Sequence, residues 1–445
     1  MQIIRLSSQK IPGIAIRDAK FPAPFGDGLE YSPAARGTWT IMHLGLLIPQ
    51  THIVFVCAQA CLRGVVMSAA EVKALDRFST ITVEDKNLLE GDTEQVLLDG
   101  IEDILQKIRY KPRGMIIYTS CVHEFIGSDL TYSFAELRRR HPEIDFADGY
   151  MAPIVRKRIT PDARNRRQIL ALLKRREDKD RGVTLVANVR LVTSRTSDLR
   201  AIAEAAGVPF RDITEARTYE EYQALAKSSL FITTAPFGGV ALSWCEKELG
   251  GKALQLTAPW VPEEIDAVNA EFAAALGVPP PDFSKEKAEA LARLSEAREA
   301  VGSRPILIDA SATARPLSLA RLLVSQGFTV STVFADALNP AEKEDYEWLK
   351  AHAPALMLRP ISNARMADVP AATASHPDEA VAIGQKAAYF MNTRHFINMI
   401  EADGTDGYRG LVHLARELKD AALEKKPLRE LISVKALGCT RGGCL

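Results

Sequence analysis

Short runs that are apolar throughout, separated by amphipathic stretches, recur along the whole chain. They include HIVFVC (His52–Cys57), GMIIYTS (Gly114–Ser120), VTLVANV (Val183–Val189), LFITT (Leu230–Thr234) and KALQL (Lys252–Leu256). Further along come PILID (Pro305–Asp309), TVSTVF (Thr329–Phe334), ALMLR (Ala355–Arg359) and AAYFM (Ala387–Met391). A strand wet on one face alternates apolar with polar residues. An uninterrupted run suits a strand covered on both faces, as in parallel sheets flanked by helices. Stretches such as Glu94–Ile108 and Leu199–Ala206 carry the helical period of the crossovers such sheets need. The pattern predicts an α/β fold of doubly wound, Rossmann-like parallel sheets, with more strands than one sheet holds.

At 445 residues the chain has room for about three domains of ordinary size. One boundary is expected in the charged segment Arg156–Arg181, and another after the alternating-charge helix Lys285–Val301. This gives domains over 1–180, 181–302 and 303–430, with a tail over 431–445. The basic cluster around Arg164–Arg176 reads as a solvated helix face. Lys plus Arg total 56 and Asp plus Glu total 56, so the basic excess of a nucleic-acid-binding protein is missing. No run of 18 apolar residues suits a membrane span. The opening MQIIRLSSQKIPG lacks the apolar core of a signal peptide, which implies a cytoplasmic protein with reduced thiols.

Phosphate-cradling glycine motifs, the HExxH zinc pattern and the GxSxG elbow are all missing from the sequence. Six cysteines remain. Cys57 ends one strand run, Cys61 follows four residues later, and Cys121 directly follows another run. In a parallel sheet the strand C-termini line one edge, where ligand sites form. Thiolates gathered there suit an iron–sulfur cluster, although buried cysteines also end strands as small hydrophobes. Cys245, beside Trp244, falls at a core-like helix position. Cys439 and Cys444 have a spacing that matches no common zinc loop.

The stretch TSCVHEFIGSDL (Thr119–Leu130) resembles a motif of component 1 proteins of nitrogenase and nitrogenase-like reductases. There a strand-end cysteine precedes a Glu, an apolar pair, Gly and an acidic residue. PQTHIVFVC resembles the segment carrying the family's second cluster cysteine, which falls on Cys57. RPILIDASATARPLSLARLLVSQGFTV and GYRGLVHLARELKDAAL look like the opening and the last helix of the family's third domain. The resemblance implies that Cys57 and Cys121 ligate an iron–sulfur cluster, eight-iron (P-cluster-like) or 4Fe–4S, at a subunit interface. The family's first cluster cysteine belongs within EYSPAARG, where this chain has none. Ser32 or Glu30 then supplies an oxygen ligand, or Cys61 supplies sulfur. The alternative for Cys61 is that it fills a small apolar gap.

The family pairs homologous alpha-type and beta-type subunits, and the alpha-type holds the catalytic iron–sulfur cofactor through a Cys and a His. TTAPFGG has no cysteine at the first of these positions, and FINMIEAD has no histidine at the second, His395 lying just upstream. The resemblance therefore implies a beta-type subunit in an α2β2 heterotetramer, served by an ATP-dependent iron-protein homodimer. By elimination within the superfamily it implies reductive cleavage of a carbon–sulfur bond, as in the beta-type subunit of methylthio-alkane reductase. A cofactor-assembly scaffold and a tetrapyrrole reductase subunit are the alternatives inside the superfamily. A nucleotide-sugar-binding or transfer protein with inert cysteines is the alternative outside it.

Overall fold

The computed structural model describes residues 11–26, 28–31, 33, 41–71, 73–151, 159, 161–188, 197–373 and 378–431. In chain order its strands are β1 (Ile14–Ala15), β2 (Thr51–Cys57), β3 (Phe78–Thr82), β4 (Gly114–Ser120) and β5 (Asp145–Met151). Then follow β6 (Asp180–Leu185), β7 (Phe210–Asp212), β8 (Ser228–Thr233) and β9 (Lys252–Gln255). The last are β10 (Ile306–Asp309), β11 (Val330–Phe334), β12 (Met357–Arg359), β13 (Val381–Ile383) and β14 (Phe396–Ile397). They form three sheets, ordered β3-β2-β4-β5, β7-β6-β8-β9 and β1-β12-β11-β10-β13-β14. Every pairing is parallel except β1 with β12. The α/β reading of the sequence holds. Among the described residues no helix is long and apolar enough to cross a membrane.

The chain divides into two compact units. One is built from Trp39–Val189 and Val208–Gln255 and contains both four-stranded sheets. All seven residues of β2 and all seven of β4 are buried, which is what their unbroken apolar runs demanded. Phe55 of β2 lies opposite Tyr118 of β4, with the rings stacked 4.7 Å apart. Such a pair adds about 1 kcal/mol beyond its buried area. On the next strand Gly149 leaves room for the Tyr118 ring, which a Cβ there would meet at 2.7 Å. One apolar core runs beneath both sheets of this unit, from Phe55 and Tyr118 to Tyr222 and Phe231.

Two sequence readings need correction. AAYFM does not form a strand; it lies in the helix Gln385–Met391, whose Ala387, Ala388 and Phe390 are buried. An apolar run this short has no legible period, and the strand of this region is β13, just before it. The basic segment is not simply a solvated face. Arg166, in the helix Pro161–Gln168, is 1% exposed, stacks over Phe237 at 4.2 Å and donates from Nη1 to the Ala187 carbonyl at 2.8 Å.

The other unit, from Met1–Thr38, Arg190–Gly207 and Leu256–Ser433, contains the six-stranded sheet. Here GTDGYRG finds a structural use. Asp406 accepts from the backbone N–H groups of Asp198 and Leu199 (3.0 and 3.3 Å), at the start of the helix Asp198–Ala205. Asp198 in turn accepts from Tyr408 N at 2.7 Å and Arg409 N at 3.3 Å, at the start of the helix Gly407–Leu423. Each carboxylate meets the positive end of the other's helix. Gly407 is required between them, since its φ is +65° and a Cβ would lie 2.1 Å from the Asp198 carboxylate.

At the N-terminal end of β2, His52 is 1% exposed and sits between Tyr110 Oη (2.7 Å from Nδ1) and Ser79 Oγ (2.8 Å from Nε2). Burial, helped by Arg77 and opposed by Asp76, lowers its pKa from 6.5 to about 4. The neutral ring is therefore the folded form. Its contribution is complete above pH 6.5 and is lost as the pH falls toward 4, about 3 kcal/mol in all. The difference in melting temperature between wild type and His52→Gln should accordingly shrink as the buffer is taken from pH 7 to pH 4. A constant difference would show that His52 is not held neutral.

Candidate functional site

β2 and β4 are adjacent and parallel, so their C-terminal ends share one edge. Cys57 is the last residue of β2 and has no exposed surface. Cys121 is the first residue of the helix Cys121–Ile126, directly after β4, and is partly exposed. The helix Gln59–Glu71 starts two residues beyond Cys57 and carries Cys61 in its first turn. Burial pushes the Cys57 thiol up to about 12, and the neighbouring Cys61 and Cys121 thiols push in the same direction. Cys61 and Cys121 thus both lie within electrostatic reach of the Cys57 sulfur. Without a cation Cys57 holds its proton; a bound metal would reverse that balance and draw out the thiolate.

Cys61 is exposed, so it does not fill an apolar gap. The early start of its helix turns the side chain outward rather than into the core. Glu30 is exposed, and its backbone bridges Asn363 in the unit with the six-stranded sheet. Ser32, Cys439 and Cys444 lie outside the described residues. Among the described residues no group of three or more His, Cys, Asp or Glu side chains is arranged to hold a metal ion. Cys57, Cys61 and Cys121 are the thiols that β2, β4 and the helices after them carry at this edge.

The remaining candidates have structural surroundings. Cys245 is fully buried where the helix Gly239–Trp244 continues into one π turn, and burial pushes its thiol up to about 12. His395 is buried, with Nδ1 2.8 Å from the Ala421 carbonyl. In TTAPFGG the Thr233 hydroxyl and the Thr234 N–H both donate to Asn188 Oδ1 at 3.0 Å, a turn-holding network.

Sequence reasoning passed over two side chains at this edge. Ser120 and His123 are each 2% exposed, and neither Ser120 Oγ nor either His123 ring nitrogen has a hydrogen-bond partner. Burial lowers the His123 pKa. The available signal was a polar pair, Thr119-Ser120, ending a strand that is otherwise apolar. On the same short helix as Cys121, Phe125 is 73% and Ile126 is 41% exposed. Apolar surface of this kind suits contact with a partner.

The profile of one family, described as nitrogenase component 1 type oxidoreductase, matches residues 40–423. No curated protein matches the sequence at a significant level. Among solved structures, one described as nitrogenase Cp1 at pH 6.5 superposes with a TM-score of 0.65 and 15% identity, over 90% of this chain and 94% of that one. Another, described as nitrogenase Cp1 at pH 5, gives a TM-score of 0.59 and 12% identity, over 92% and 93% of the two chains. At these identities the likeness is one of fold.

Proposed function

Because the chain belongs to the nitrogenase component 1 type oxidoreductase family, we propose that it is the beta-type subunit of a nitrogenase-like iron–sulfur reductase. Its partners are a homologous alpha-type subunit, in an α2β2 assembly, and an ATP-dependent iron-protein homodimer. Cys57 and Cys121 hold this chain's share of an interface cluster, either eight-iron or 4Fe–4S. When bound, the cluster supplies one-electron storage on the way to a catalytic metallocluster in the alpha-type partner. The observation that carries the reading is the pair of cysteines at the ends of adjacent parallel strands, with the Cys61 thiol within electrostatic reach of Cys57. Buried Cys57 anchors the group from below. Cys121, on a helix with exposed Phe125 and Ile126, meets it at the surface that a partner would cover.

The reaction we assign is reductive carbon–sulfur cleavage of small methylthio-alkanes. Two electrons and two protons convert the methylthio compound into methanethiol and the corresponding hydrocarbon. The substrate pocket belongs to the alpha-type chain, so this chain's residues bind and orient the electron-relay group rather than the substrate. The test is an anaerobic assay with both subunits, the iron protein, ATP and a methylthio-alkane. Methanethiol and hydrocarbon released in equal amounts support the assignment. An iron-bearing complex that reduces a tetrapyrrole instead, or that turns nothing over and passes its cofactor to another protein, contradicts it.

A further inference from the structure

Ser120 closes β4 and occupies the N-cap position of the helix Cys121–Ile126. A serine at such a position ordinarily spends its side-chain oxygen on a backbone N–H of the first turn. Ser120 makes no such bond, and its hydroxyl has no other hydrogen-bond partner although the residue is 2% exposed. Buried hydroxyls are rarely left unpaired, and one that is calls for a ligand to satisfy it.

The sheet register says where this hydroxyl points. Successive side chains on a strand alternate between faces, and neighbouring strands lie about 4.8 Å apart. Phe55 and Tyr118 are opposite one another and stack on the face that also buries Cys57 and Ile116. Two residues beyond Phe55 is Cys57, and two beyond Tyr118 is Ser120. The last recorded pair is Val56 with Thr119, so the same register sets Cys57 beside Ser120 on the shared face. The unpaired hydroxyl therefore neighbours the Cys57 thiol and directly precedes Cys121 in the chain.

Resting on the function proposed above, we infer that Ser120 is a positioning residue for the sulfur-held group, its Oγ–H donating a hydrogen bond to a sulfur of that group. A serine hydroxyl keeps its proton at neutral pH, so it serves as a donor to sulfur rather than as an anionic ligand to iron. Hydrogen bonds to cluster sulfurs withdraw electron density and favour the reduced state, which raises the reduction potential. Ser120 thereby offers this site a donor that neither Ser32 nor Glu30 was needed to explain.

The experiment is a redox titration, followed by electron paramagnetic resonance, of the anaerobically purified two-subunit complex carrying Ser120, Ser120→Ala or Ser120→Thr. Circular dichroism and iron content are recorded for each. Ser120→Ala should keep its fold and its iron and show a more negative midpoint potential. Ser120→Thr, which retains the hydroxyl, should return most of the way to the wild-type value. Unchanged potential in an iron-loaded Ser120→Ala complex overturns the inference and leaves the proposed function standing. Loss of iron from a folded Ser120→Ala complex also overturns it, since Ser120 would then be a ligand. An iron-free wild-type complex overturns both readings.

Discussion

Cys121→Ala should strip the two-subunit complex of most of its cluster iron, and Cys57→Ala should do the same. Each removes a proposed thiolate ligand, and the alanine left behind offers iron nothing. The two variants are expected to differ in their second effect. Cys121 is partly exposed, so its loss should leave the subunit's own melting temperature nearly unchanged. Cys57 is fully buried in the core with Phe55 and Tyr118, so its truncation also opens a small cavity. That should cost about 1 kcal/mol of stability. Iron quantification per complex, with calorimetry on the same samples, reads both effects. Full iron content in the Cys121→Ala complex would defeat the ligand assignment outright. Cys61→Ser, Ser32→Ala and Glu30→Gln, measured alongside, report which further residue of this chain contributes. Exposed Cys61 is the one whose loss should be felt most, because it already acts on the Cys57 thiol.

The isolated chain should reduce nothing. Given the iron protein, ATP and substrate but no alpha-type partner, product should stay at background and rise by orders of magnitude when the partner is added. The physical ground lies in what occupies the two positions where the alpha-type holds its catalytic cofactor. TTAPFGG is a turn tied by Asn188, and His395, just upstream of FINMIEAD in the sequence, has Nδ1 bonded to the Ala421 carbonyl. The exposed Phe125 and Ile126 should become protected from hydrogen exchange and surface labelling when the partner binds, in an assembly with two-fold symmetry. Turnover by the chain alone would contradict the assignment as a beta-type subunit.

The legible part of the fold was the part dictated by burial. HIVFVC and GMIIYTS became strands because a strand with both faces covered is mostly apolar, with its buried polar residues (Thr51, His52, Thr119 and Ser120) kept to its ends. Two edge strands escaped notice: FSTIT and DFADGYM carry polar residues that break the apolar run, whereas the edge strand within KALQL was legible. AAYFM failed because apolarity without a period fits a buried helix as well as a strand, and only packing decides. At the site, a cysteine following a strand run located Cys57 and Cys121 from sequence. Ser120 could not be found that way. Its interest lies in which face it shares with Cys57 and in the cap bond it does not make, and both depend on register between residues 63 positions apart. The exposure of Cys61 was not legible, because spacing along a helix says nothing about whether neighbouring elements cover it. GYRGLVHLARELKDAAL was read only as a family likeness, while at its start the structure shows two carboxylates exchanging helix N-termini.

The proposed function stands on one property, a share in an iron–sulfur cluster at an interface with a homologous subunit. Its most direct test is iron and acid-labile sulfide analysis, with an absorption spectrum, of the wild-type chain co-purified anaerobically with its alpha-type partner. The expected result is a brown complex containing both elements, whose colour is bleached by dithionite and is lost from the Cys57→Ala, Cys121→Ala double variant. A stable, colourless complex free of iron, or a wild-type spectrum identical to that of the double variant, would contradict it.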